Sequence, residues 1–145
     1  MMRFLLAAFI FCATFAHGEE KIWSALVLAS DPQSGRVPLQ PPPELADYAR
    51  KLTKIFGYQQ FEILGTASKA MGRDQQERWL VPSPTFMVGA QAKRVGAEYL
   101  IQLEVFQESR RLVQAEAKLG VQSPLFIAGP RHARGQLLVV FEIRP

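Results

Sequence analysis

The sequence predicts an α+β fold: an antiparallel β-meander or mixed sheet of about six to seven strands, with one amphipathic helix packed on it. Two observations point to the sheet. Residues 98–119 alternate apolar and polar side chains on either side of a turn, and residues 136–143 contain a continuous apolar run of strand length. A third points to the helix: residues 43–56 hold one apolar stripe at helical spacing.

The chain opens on an export signal. Arg3 is a short positive region, residues 4–16 are apolar, and Ala16 and Gly18 supply small residues ahead of Glu19 and Glu20. The apolar run is 13 residues long, short of the roughly 20 that a helical span needs, so no transmembrane anchor is expected after cleavage. Cleavage after Gly18 places Ala16 and Gly18 at the −3 and −1 positions, and cleavage after Ala16 places Thr14 and Ala16 there. The expected organisation is a cleaved signal over residues 1–18 and a single exported domain over 19–145, in the periplasm or outside the cell. Taking 18 residues from 145 leaves 127, enough for one hydrophobic core.

Composition then excludes several classes. Cys12 is the only cysteine, lies inside the signal, and reads as one more hydrophobe there. The exported domain is therefore expected to lack disulfides, thiolate nucleophiles and cysteine-bound metal. Lys and Arg number 17 against 13 Asp and Glu; removing Arg3 leaves 16 against 13, a net charge of +3. That is too little for the basic stripe of a nucleic-acid binder. Asparagine is absent, so there is no N-glycosylation acceptor, and turns fall to Gly, Pro, Ser and Asp.

Each element has its own warrant. Residues 21–29 are a run of Ile, Trp, Leu and Val closed by Ser30-Asp31-Pro32, expected as a strand buried on both faces. Residues 32–43 hold five prolines and form an extended connector. In the helix over residues 43–56, Leu45, Tyr48, Ala49, Leu52, Ile55 and Phe56 share one face. Pro43 suits its first turn, Lys51 and Lys54 its negative end, and Gly57 a left-handed cap. After Gly57 the period becomes two, and Phe61 and Ile63 share one face of a strand over residues 58–64. Residues 65–76 are small and polar and read as a loop. Residues 78–81 and 85–91 are two short strands, or one strand broken by Pro82 and Pro84, and proline confines such a strand to an edge or a bulge. Residues 98–106 point Tyr99, Ile101, Leu103 and Val105 to one side, and Val113, Ala115, Ala117 and Leu119 answer them across a hairpin with one wet face. Residues 120–123 turn the chain into a further strand over residues 124–128, residues 129–135 read as a loop, and residues 136–143 as a central strand. Leu103, Val139 and Phe141 are expected at the centre of the sheet, with Leu52 and Ile55 packing on it from the helix.

Catalytic chemistry is thin. His132 is the only histidine after residue 17, too few for a zinc site without cysteine, and no serine sits in a Gly-x-Ser-x-Gly context. No cofactor and no metal is expected. Glu98, Glu104, Glu116 and Glu142 alternate with apolar residues and read as solvated strand faces that could pair for acid–base work only in a cleft.

One constellation stands out. Successive turns of a meander alternate between its two ends, so if the last four strands are sequential neighbours, Arg110, Arg111, Arg131, His132 and Arg134 share one end. Arginine offers a planar fork to carboxylate or phosphate, so this rim suits lipid headgroups, a polyanionic wall polymer or an acidic protein. Hairpin tips also collect charge for solubility alone, and Glu108 would offset part of it.

A strand, an amphipathic helix ending in glycine and further strands over residues 22–64 are loosely similar to the small periplasmic domains of secretins and related envelope proteins. That resemblance rests on element order, implies a second helix with no counterpart in this sequence, and supports an envelope setting. The function expected is an exported, non-enzymatic binding or assembly domain of the bacterial cell envelope. Its partner would be an envelope protein or an anionic surface or polymer, met at the rim or at a strand edge, and not nucleic acid; oligomeric state is left open. The alternative is a small carboxylate-based hydrolase acting on extracellular polymer.

Overall fold

Eight strands, all paired antiparallel, and one short helix make up the described chain. The computed structural model describes residues 20–73, 75–121 and 123–145, so the expected signal lies outside it. The strands are β1 (Lys21–Ser30), β2 (Gln60–Ala70), β3 (Gln76–Pro82), β4 (Phe86–Val95), β5 (Glu98–Gln107), β6 (Arg110–Leu119), β7 (Leu125–His132) and β8 (Gly135–Arg144). They form two four-stranded sheets, ordered β2-β1-β8-β7 and β3-β4-β5-β6. The expected single sheet is thus corrected to a sandwich, and no parallel pair occurs among the described strands. Strand order follows the chain around the molecule and closes where β8 pairs with β1. It breaks at two seams, β2 against β3 and β6 against β7. The last four strands are therefore not sequential neighbours: β5 and β6 belong to one sheet, β7 and β8 to the other.

Alternation along β1 explains the layers. Ile22 and Leu26 point between the sheets, joining Val88, Ile101, Leu103, Val105, Leu137, Val139 and Phe141 in one core. Trp23, Ala25, Val27 and Ala29 point the other way, where Leu45 and Leu52 cover them together with Leu138 and Val140. A strand buried on both faces needs apolar residues at consecutive positions, which is what β1 and β8 hold. Leu103, Val139 and Phe141 are buried as expected, but Leu103 lies in one sheet and Val139 and Phe141 in the other, on opposite sides of the core.

Three expectations about local structure are corrected. The helix is shorter: Pro43–Leu45 makes a 3-10 turn and α1 runs only over Ala49–Phe56, closed by Gly57 at φ 83°. Leu45, Tyr48, Leu52 and Phe56 face the sheet, which leaves Ile55 on the flank, 54% exposed. Residues 65–70 are strand, not loop. Their small side chains suit the seam, where a Cβ on Gly65 would collide with the Pro82 carbonyl oxygen. Residues 129–132 also continue a strand, with a bulge between Ala128 and Arg131 that accommodates Gly129 and Pro130 at the sheet edge. No second helix of the kind implied by the secretin-domain resemblance occurs among the described residues, and no helix there is long and apolar enough to cross a membrane.

Polar groups fasten the first seam. Ser24 is fully buried between the sheets; its hydroxyl accepts from the Trp79 indole N–H at 2.9 Å and donates to the Ala67 carbonyl at 3.1 Å. Three strands are tied through one serine. At one end of the sandwich the Glu20 carboxylate accepts from Arg94 Nη1 at 2.8 Å and from the Tyr99 hydroxyl at 2.6 Å, which joins the start of the described chain to β4 and β5.

Candidate functional site

The rim residues flank two hairpin turns, with Arg134 in a turn itself and the other four at the adjoining strand ends. Gln107 pairs with Arg110 across Glu108-Ser109, and His132 pairs with Gly135 across Ala133-Arg134. A two-residue hairpin loop favours φ above zero, and Ala133 and Arg134 adopt φ of 46° and 64°. Non-glycine residues in that region carry strain of about 1–3 kcal/mol each.

One contact relates the two turns. The His132 ring lies edge-on to Phe86, with centroids 4.8 Å apart and planes at 87°. Phe86 begins β4 and pairs with Gln107, the residue before the β5–β6 turn. His132, half-buried there, thus holds the β7–β8 turn at the end of the sandwich that carries the β5–β6 turn.

The five rim residues have different surroundings. Arg110, Arg131 and Arg134 are exposed, and among the described residues none has a carboxylate within 4.0 Å. Arg111, opposite Phe106, reaches back along the outer face of the β3–β6 sheet to Glu104 at 3.5 Å. His132 packs. Glu108 is exposed at φ 55°, and no cation pairs with it among the described residues.

The four carboxylates fall in three places. Glu142 lies on the helix side of the other sheet, paired with Arg144 at 3.1 Å and beside Tyr48. Burial, and then this carboxylate, push the Tyr48 hydroxyl up to about 12. Glu98 is exposed at the start of β5. Glu104 and Glu116 share a trough on the outer face of the β3–β6 sheet, a depression of about 620 Å³ spanning all four strands. They lie diagonally: Glu104 is opposite Gln114, and Glu116 is opposite Gln102, whose amide donates to it at 3.0 Å. Each carboxylate is thus engaged by a neighbour, Arg111 or Gln102. No group of three or more His, Cys, Asp or Glu gathers as a metal site among the described residues.

The trough is what sequence reasoning missed. Its signal lay in the polar positions of alternating strands, Arg78, Gln91, Gln102 and Gln114, and in a glycine, Gly89, in mid-strand. Comparison with known protein families, curated proteins and solved structures finds no significant match to this chain.

Proposed function

We propose that this chain is an exported, non-enzymatic binding or assembly domain of the bacterial cell envelope, which takes an anionic partner on the end of the sandwich carrying Arg110, Arg131 and Arg134. The observation that carries the reading is the seating of His132 on Phe86, which sets both arginine-bearing turns at one end. Three exposed guanidiniums without carboxylate partners among the described residues present fork-shaped donors to phosphate or carboxylate. Export rests on the N-terminal signal pattern.

The experiment is co-sedimentation of the processed protein with vesicles containing phosphatidylglycerol, against vesicles of phosphatidylcholine alone, across a salt series. Screening shortens from about 30 Å at 0.01 M to about 3 Å at 1 M salt. Binding to the anionic vesicles should therefore fall steeply along the series, and the neutral vesicles should bind little throughout. Equal binding to both vesicle types, insensitive to salt, would contradict the reading.

A second reading, a small carboxylate-based hydrolase acting on extracellular polymer, is favoured by one observation: Glu104 and Glu116 share the trough. Their separate engagement by Arg111 and Gln102 suits hydrogen-bond acceptors better than a converging acid–base pair.

A further inference from the structure

The β3–β6 sheet exposes an ordered polar face that the basic end does not use. Register places Arg78, Gln91, Gln102 and Glu116 in one row across the four strands, and Leu80, Gly89, Glu104 and Gln114 in the next. At about 4.8 Å per strand gap the rows run roughly 14 Å, the length of a short oligomer. The trough lies over these two rows.

Gly89 has no role in the fold that would require glycine. A Cβ there would meet only Leu80 Cδ2, at 4.0 Å, an ordinary contact, and its φ lies outside the left-handed region. Glycine inside a strand weakens it, so a β-branched residue such as Val would support β4 better. What glycine does at this position is leave the middle of the face open.

The chemistry around that opening is specific. Three carboxamides, each donor and acceptor, stand beside two carboxylates and one guanidinium, all planar groups able to make paired hydrogen bonds. Leu80, 58% exposed, supplies an apolar flank. Arg111 already meets the charge of Glu104, so the face is close to neutral and gives a polyanion little attraction.

We infer that the trough over Gly89 is a binding site for a neutral oligosaccharide. Its hydroxyls pair with Gln91, Gln102, Gln114 and Glu116, and a C–H face of a sugar ring rests against Leu80. This site is separate from the basic end, and neither depends on the other.

The test follows side-chain amide signals of the glutamine-labelled protein by NMR during titration with cellohexaose, chitohexaose and maltohexaose, with an oligogalacturonate as the acidic control. At least one neutral sugar should shift the Gln91, Gln102 and Gln114 amides, and the acidic control should not. Gly89→Val should keep the fold, with an unchanged or higher Tm, and lose binding at least tenfold; Gln114→Ala should weaken it by a smaller factor. Absence of shifts with all three neutral sugars would overturn the proposal. So would unchanged affinity in folded Gly89→Val, or an extended peptide shifting the same amides where sugars do not.

Discussion

The two sheets are built alike in strand number and differ in what covers them. The β2-β1-β8-β7 sheet has the second sheet on one face and α1 with the Pro43–Leu45 turn on the other, so β1 and β8 carry unbroken apolar runs, residues 25–29 and 137–141. The β3-β4-β5-β6 sheet is covered on one face only, and its strands alternate. Stability is therefore concentrated in the first sheet and the interlayer core. The outer face and turn end of the second are left to carry polar groups at little expense to the fold.

The largest expected effect belongs to the interlayer core. Phe141 is fully buried and meets Trp79 edge-on at 6.4 Å across the sandwich. Truncating a buried phenylalanine typically removes about 3–5 kcal/mol, a large share of the roughly 5–15 kcal/mol that stabilises a domain. Phe141→Ala should lose its cooperative thermal transition, whereas Gln102→Ala on the wet face should change stability by about 0.5 kcal/mol or less. Similar melting of the two variants would break the contrast between the sheets.

A smaller effect is expected at the seam. Ser24→Ala leaves the Trp79 indole N–H without its acceptor in a buried setting, which typically costs about 1–3 kcal/mol. Denaturant unfolding should show a lowered midpoint with an unchanged slope. A midpoint equal to that of the parent would mean that apolar packing alone sets the register between the sheets.

The smallest effect is at alkaline pH. The hydroxyl of Tyr48, the residue that leads into α1, is raised from 10.0 to about 12, and Tyr99 is raised by burial and by Glu20. Below pH 10 both folded and unfolded chains keep these protons, and stability is unaffected. Between 10 and about 12 the unfolded chain releases the Tyr48 proton while the folded chain retains it, so stability falls as pH rises. Tyr48→Phe should flatten part of that decline, as measured by Tm across the alkaline range. An identical decline in the variant would remove Tyr48 as its source.

The residues that proved legible in the sequence were those whose environment is set by period. Tyr99, Ile101, Leu103 and Val105 are buried as the alternation required, β1 is covered on both faces, and Gly57 caps the helix. Features set by long-range packing were not legible. Gly65 and its small neighbours resemble a loop in composition, yet they form the strand end that presses on Pro82. Gly129 and Pro130 resemble turn formers, yet they sit in an edge bulge. Ile55 has the spacing of a core residue, but Leu52 centres the buried face of α1 with Tyr48 and Phe56 beside it, and Ile55 falls on the flank. The arginine turns were expected at one end on the premise of a continuous meander. That premise fails between β6 and β7, and it is the His132–Phe86 contact that sets the two turns at one end.

The most direct measurement changes the basic end alone. Arg110, Arg131 and Arg134 are replaced together by Ser, leaving Arg111 to hold Glu104, and both Tm and binding to phosphatidylglycerol vesicles are recorded. The account predicts a Tm within a few degrees of the parent, because these side chains are exposed at or beside turns, and loss of the salt-sensitive binding. A folded triple variant that binds anionic vesicles as the parent does would contradict it.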